Sequence, residues 1–306
     1  MPLPPQIWHA ARRCAALTPV RAYFALAVAV AGIAWSAIFV RWADVPGTVS
    51  AFYRVLIAGT VLWAWRAQRG PIRPVSARAA WIAVGGGVFF ALDLALWNTS
   101  VMMTQAAIAA ILGNNTPIFV GIMSWLVLKR RPRTAFWTGL ALSLTGCLLI
   151  ISANLGQPSA PRGSLTGDVL ALAASVFFAA YLIVTERVRQ SMDTLTFNAL
   201  AVAGSAATLL AIAVALQLPL AGFPLRSWAA LAGLGLISQL VAYYALVYAL
   251  GHLRATITSV GLLAQVPCTA ALAWLLLGEP LTAAQIAGGA VVLTGIYVVT
   301  RNGSGG

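Results

Sequence analysis

SVMMTQAAIAAILGNNTPIFVGIMSWLVLK (residues 100–129) can be laid without a gap on LGHLRATITSVGLLAQVPCTAALAWLLLGE (residues 250–279). Pro117 then falls on Pro267, and Asn115 falls on Gln265. Apolar segments match one another by chance, but an amide-x-Pro element in the same register does not follow from composition. After a one-residue adjustment the match continues, with Gly139 on Gly288 and Gly146 on Gly295. Earlier in each half, FYRVLIAG (52–59) matches FNALAVAG (197–204). The chain reads as one unit written twice, and such internal similarity constrains the fold before any local detail does.

The repeated unit belongs in a membrane. The chain is 61% hydrophobic and 8% charged, with a mean hydropathy of +0.90. A water-soluble protein of 306 residues needs a more polar skin, whereas apolar runs of about 20 residues suit transmembrane helices. Apolar stretches between polar breaks predict ten spans, at 21–42, 47–66, 79–101, 105–127, 134–152, 166–186, 194–217, 227–250, 255–277 and 281–300. The predicted fold is thus an all-α membrane protein of two five-helix repeats, 21–152 and 166–300. A Pro/Gly/Ser-rich linker at 153–165 separates them, and short tails flank them at 1–20 and 301–306.

An odd number of spans per repeat makes the second copy enter the membrane from the opposite face. The positive-inside rule orients the whole. With the N-terminus cytoplasmic, fifteen Lys and Arg residues fall on the cytoplasmic side and three (Arg41, Arg162, Arg226) on the outer side. Arg54 remains within a span. Both termini are therefore expected in the cytoplasm, with the repeats inverted relative to one another. Inverted repeats around a central site are a transporter arrangement, because one half can rock against the other. Arg12, Arg13 and Arg21 ahead of AYFALAVAVAGIAWSAIFV imitate a signal peptide, but that apolar region exceeds the usual core of about 7–15 residues and is read as the first span.

The ending LLLGEPLTAAQIAGGAVVLTGIYVV (275–299), together with Arg54 in the second span, resembles the EamA-type, ten-helix branch of the drug/metabolite transporter superfamily. The resemblance covers roughly residues 20–300. In the first copy LKRRPR departs from the acidic residue that the family's motif carries beside Lys129. Within the branch the chain is similar to bacterial inner-membrane aromatic amino-acid exporters, whose relatives also move other amino acids and methyl viologen. The resemblance implies an inner-membrane exporter of aromatic and other neutral amino acids. Its alternative is a proton-coupled exporter of lipophilic cations. Exporters of that second kind place a glutamate deep in the first helix, where YFALAVAVAGIAWSAIFV has no acid.

Polar residues inside spans supply the candidate site. A charge near mid-membrane costs about 2.5–3.5 kcal/mol on insertion scales, so it usually faces protein or water and has a partner. At 1.5 Å per residue, Asp93 in the third span and Arg54 in the second lie at matching depths, about 12 and about 10 Å below the outer boundary. The expectation is an Asp93–Arg54 ion pair or a shared polar network, with a structural, gating or proton-carrying role. Asn115 with Pro117, and Gln265 with Pro267, mark kinks midway along the fourth and ninth spans, with Asn114 alongside. Proline frees a carbonyl there, which is tolerated where backbone lines a cavity or is buried in protein. Gln239 and Tyr243 are four apart and share a face, as do Asp93 and Trp97. Trp35, Ser36 and Tyr181 complete the candidate substrate-binding set, Tyr181 being the repeat counterpart of Ser36 and Tyr243 that of Asp93. An amino acid would need donors for its carboxylate, and aromatic faces or carbonyls for its ammonium.

Small-residue runs in the fifth and tenth spans permit close helix approach, within the chain or across a homodimer. The basic clusters sit between apolar runs, which favours membrane topology and the bilayer over nucleic acid as their partner. Cys14, Cys147 and Cys268 form neither a disulfide framework nor a zinc motif. His9 and His252 cannot build a buried metal centre, so neither metal, cofactor nor catalysis is expected.

Overall fold

The computed structural model describes residues 5–69, 75–103, 106–152, 164–277 and 282–303. Most of the expected linker (153–163), Glu279 and the GSGG tail from Ser304 onward lie outside the described residues. The described elements are all helical: α1 (Pro5–Ala43), α2 (Gly47–Gln68), α3 (Ala77–Met103), α4 (Ala106–Gly113), α5 (Thr116–Leu126), α6 (Thr134–Ser152), α7 (Leu165–Val188), α8 (Thr194–Ala215) and α9 (Leu225–Gly233). A π-helical segment, Leu234–Val241, joins α9 to α10 (Ala242–Leu250), followed by α11 (Ala255–Leu262), α12 (Gln265–Leu277) and α13 (Ala283–Gly303). In hydrocarbon every backbone N–H and C=O must be satisfied within the protein, and a helix does so along its own length. Nine helical stretches among the described residues are long and apolar enough to cross a membrane, so this is a multi-span membrane protein. The fourth expected span is broken into α4 and α5.

That break shows why the amides precede the proline. Pro117 has no N–H to give to the carbonyl of Gly113, four residues earlier, and the hydroxyl of Thr116 donates to it instead at 3.1 Å. Asn114 Nδ2 donates to the carbonyl of Ala110 at 2.8 Å, and Asn115 Nδ2 to that of Ile111 at 3.0 Å. Thr116 and Asn115 thus take over the carbonyls of Gly113 and Ile111, while the Ala110 carbonyl also keeps its backbone bond from the Asn114 N–H at 3.0 Å. The second copy breaks at the equivalent place, between α11 and α12, just before Pro267.

In the order of the expected spans, the third packs on the sixth and seventh, the first and second on the eighth, the fourth on the sixth and the ninth on the first. Span two also meets seven, and five meets ten. Exchanging each span with its counterpart in the other half returns the same set of pairs. Glycines set the closest approaches, since a helix without a Cβ can lie against a neighbour's backbone. A Cβ built on Gly139 would lie 2.5 Å from the carbonyl oxygen of Gly295, and one on Gly146 would lie 2.5 Å from that of Gly288. The glycines of α6 and α13 therefore serve packing inside one chain. Similarly, a Cβ on Gly204 of α8 would meet the carbonyl oxygen of Val84 of α3 at 2.4 Å.

Candidate functional site

Arg54 of α2 is 6% exposed and stands at the centre of the candidate site. Its Nε donates to Gln239 Oε1 at 2.7 Å, and its Nη1 donates to Ser36 Oγ at 3.1 Å. Nη2 lies 3.4 Å from the carbonyl of Ser238, and the guanidinium carbon sits 5.1 Å from the centre of the Tyr243 ring. Four helical elements therefore converge on one planar cation. A guanidinium suits this role because its five donors point in fixed directions while its face stacks on an aromatic ring. The π-helical turn carries both Ser238 and Gln239, and such turns within helices are frequent at functional sites. The hydroxyl of Ser238 is fully buried and has no hydrogen-bond partner among the described residues.

Asp93 of α3 interacts electrostatically with Arg54 and with Tyr243. The two charges do not touch: among the described residues no Asp93 oxygen lies within 4.0 Å of an Arg54 nitrogen. The direct ion pair is therefore not formed among the described residues; Gln239 and Ser36 accept from the guanidinium, and Asp93 is coupled to it through charge alone.

Aromatic rings pack around Tyr243, which stands over the guanidinium. Phe90, one turn before Asp93, lies 4.7 Å from Tyr243 and 5.1 Å from Tyr181, centre to centre. Tyr181 also stacks on Phe178 at 6.1 Å and approaches Tyr243 at 6.4 Å. The structure thus brings together Ser36, Arg54, Tyr181, Gln239 and Tyr243, with Asp93 coupled through its charge. It adds Ser238, Phe90 and Phe178. Phe90 was legible in principle, since it shares a helix face with Asp93 and Trp97 at helical spacing. Ser238 carried no signal, because nothing in LGLISQLV marks a π turn.

Other expected site residues lie apart from this network. Trp35 stacks on Phe39 at 5.6 Å within a separate apolar cluster. Asn114 gives one amide N–H to its own helix and Asn115 gives both, to the carbonyls of Ile111 and Leu112, so that Asn115 keeps only its carbonyl oxygen for a ligand. Trp97 covers that kink: a Cβ on Gly113 would meet its indole ring at 3.2 Å. Gln265 is half-buried at the second break. Tyr53 packs on Trp228 at 4.8 Å and donates to the carbonyl of Leu220.

A second polar contact ties the helix ends. Glu186 of α7 accepts from Arg130 Nη1 at 2.9 Å through Oε1, and from the backbone N–H of Ala255 at 2.7 Å through Oε2. One carboxylate therefore joins α7 to the α5–α6 connection and to the first turn of α11.

Comparison with known proteins agrees with this architecture. A solved crystal structure superposes with a TM-score of 0.78 at 18% identity, over 92% of this chain and 96% of that chain, which shows a shared fold. An uncharacterized transporter of Bacillus subtilis, YwfM, is 27% identical over 285 residues, covering 90% of this chain and 93% of its own. The pseudopaline exporter CntI of Pseudomonas aeruginosa is 27% identical over 266 residues, covering 86% of this chain and 89% of its own. The sequence profile of the EamA-like transporter family matches residues 20–152 and again residues 165–301. With a multi-span helical bundle, buried charges among its helices and that profile across both halves, the chain belongs to the EamA-like transporter family of the drug/metabolite transporter superfamily.

Proposed function

We propose that the protein is a bacterial inner-membrane secondary transporter that exports amino acids, aromatic and other neutral ones, by alternating access. The observation that carries this reading is that Arg54 and Asp93 are coupled but not in contact, with Tyr243 interacting with both. Opposite charges that are coupled but not in contact complement a zwitterion, whose carboxylate needs fixed donors and whose ammonium needs an acceptor or a π face. Tyr243, Tyr181 and Phe90 supply aromatic surface for an apolar side chain.

Two inverted five-helix repeats, with ten spans and both termini cytoplasmic, are the architecture that this mechanism requires. Support comes from the packing pairs that survive exchange of the halves, the reciprocal Gly139–Gly295 and Gly146–Gly288 approaches, and the family profile found once in each half. The export direction has support from the Pseudomonas relative, which is named an exporter. Transport would be facilitative, with the substrate gradient as its driving force.

A second reading, proton-coupled export of lipophilic cations such as methyl viologen, is favoured by one observation: among the described residues no cationic nitrogen lies within 4.0 Å of the Asp93 carboxylate, so no direct ion pair holds its charge. Uptake of labelled phenylalanine into proteoliposomes separates the two. Saturable uptake without a pH gradient, competed by several amino acids, is the expected result. Uptake that requires the gradient moves Asp93 into a proton-carrying role. If methyl viologen enters and phenylalanine does not, the amino-acid reading is wrong.

A further inference from the structure

The hydrogen bonds of the π-helical segment Leu234–Val241 decide what Arg54 receives. In an α-helix the Ala242 N–H would bond to the carbonyl of Ser238, four residues earlier. Here it reaches to Ile237, five residues back, and to Gln239, three back. The carbonyl it passes over, that of Ser238, lies 3.4 Å from Arg54 Nη2. Gln239, the next residue, accepts from Nε at 2.7 Å. The wide turn thus offers two acceptors to a buried cation, one of them withdrawn from the helix's own ladder.

Two glycines make room for the turn. A Cβ on Gly32 of α1 would lie 2.7 Å from Ala242 Cβ and 3.3 Å from the Ile237 carbonyl oxygen, and one on Gly235 would lie 2.7 Å from Ile57 Cβ of α2. The turn also leaves a group unsatisfied, because the fully buried Ser238 hydroxyl has no hydrogen-bond partner among the described residues. An α-helical closure would offer it the carbonyl of Leu234, four residues earlier, as helical serines commonly use. On the register that sets Tyr243 against Asp93, the same eight positions of the first half are 84–91, and these are α-helical within α3. The repeated unit therefore adopts both helical forms at one place.

We propose that this segment is a switch: a substrate carboxylate that takes Arg54 displaces Gln239 and the Ser238 carbonyl, and the wide turn closes into an α-helix. The proposal rests on the central-site reading above and adds how occupation of that site is signalled. A carboxylate makes stronger, charge-assisted bonds to a guanidinium than a neutral amide or carbonyl does. Once displaced, the Ser238 carbonyl returns to the Ala242 N–H. A ligand shifts an equilibrium by its differential affinity for the two forms, and competition for one cation supplies that difference. One residue is worth about 100° of helix, so closure turns α9 against α10. Trp228 rides on α9 and packs on Tyr53 of α2 at 4.8 Å, so capture of the anion reaches the end of the span.

The test follows amide hydrogen exchange across residues 234–242 of the full chain in detergent, with phenylalanine, with phenylalaninamide, which lacks the carboxylate, and with neither. Exchange at least about threefold slower with phenylalanine, and unchanged with the amide, is the expected result. Deletion of Ile237, whose side chain is exposed, removes the extra residue and closes the ladder without turning the flanking helices. This variant is expected to keep phenylalanine binding while uptake into proteoliposomes falls at least about tenfold. Phenylalanine binding with no change in exchange, or full uptake after the deletion, overturns the switch and leaves the central-site reading standing. If the wild-type protein neither binds nor transports phenylalanine, the central-site reading fails instead. The double variant Arg54→Met with Gln239→Met then decides the switch without a ligand, since replacing donor and acceptor together can be nearly neutral for folding. Exchange across 234–242 should slow in it as it does with phenylalanine in the wild type, and unchanged exchange overturns the proposal.

Discussion

Gly139 of α6 and Gly295 of α13 each stand where the other's backbone leaves no room for a side chain, a Cβ on Gly295 falling 2.4 Å from the carbonyl oxygen of Gly139. Gly146 and Gly288 repeat the contact one helical stretch away, so two helices from opposite halves run against each other backbone to backbone.

Gly139→Val or Gly146→Val is therefore expected to force the helices apart and to lower stability by about 1–3 kcal/mol, the usual penalty for overpacking. Gly85→Ala serves as the control, since a Cβ there meets nothing within 4 Å. Thermal unfolding of the detergent-purified variants measures the difference. A Gly139→Val melting temperature equal to that of Gly85→Ala would contradict the packing described.

Arg54 bonds to Gln239 and Ser36 in fixed directions, so its charge alone is not enough. Arg54→Lys keeps the charge but cannot supply both hydrogen bonds and the stacked face over Tyr243. Uptake by this variant is expected to fall at least about tenfold while melting stays near wild type; each tenfold step corresponds to about 1.4 kcal/mol. Gln239→Leu is expected to lose more stability than Arg54→Lys, because it leaves a buried guanidinium donor without an acceptor. Full activity in Arg54→Lys would show that only the charge matters.

The Glu186–Arg130 contact lends itself to a double-mutant cycle. Glu186 is 6% exposed, and Glu186→Gln removes the charge facing Arg130 and keeps only one acceptor oxygen for the two donors, Arg130 and the Ala255 N–H. Glu186→Gln should cost about 1–3 kcal/mol. Adding Arg130→Gln should cost little more, because the partner is already lost. Additive losses in the double variant, read by chemical or thermal unfolding, would mean that the two residues act separately.

Asp193 lies outside the spans and caps α8, its Oδ1 accepting from the Thr196 N–H at 3.0 Å. Burial pushes its carboxyl up, but hydrogen bonds from Thr196 and Leu195 and the Arg189 charge outweigh this and hold it below its ordinary 3.8. A depressed folded value means that the capping contribution is present above pH 3.8 and is lost as pH falls through the lower folded value. Asp193→Ala should cost about 0.5–2 kcal/mol at neutral pH, and Asp193→Asn much less. Melting curves between pH 7 and pH 2.5 should bring wild type and Asp193→Asn together at the acid end. A gap that persists there would rule out the titrating cap.

The kinks and the glycine faces were legible because their signals are local. Pro117 cannot bond to Gly113 in any helix, and the amides before it are within reach of the released carbonyls. Gly139 and Gly146 permit close approach whatever their partner is. Gln239 and Tyr243 were placed on one face by their spacing alone, and they do meet the same cation. The partners of Arg54 were less legible. Depth along the spans put it level with Asp93, but depth says nothing of how each helix is turned about its axis. Trp35, one residue before Ser36, faces the Phe39 cluster, while Ser36 reaches Arg54.

The sequence by itself determined that the chain is helical, apolar, internally repeated and biased in charge between the ends of its spans. Those properties follow from transfer free energies and backbone hydrogen bonding, which each residue carries with it. Tertiary structure alone decided that Arg54 bonds to Gln239 and Ser36 and stands clear of Asp93, that α6 pairs with α13, and that Glu186 bridges Arg130 to α11. Such contacts depend on the rotation and spacing of helices far apart in the chain. A rotation of one residue, about 100° around a helix, moves a side chain from one neighbour to another without changing any apolar span.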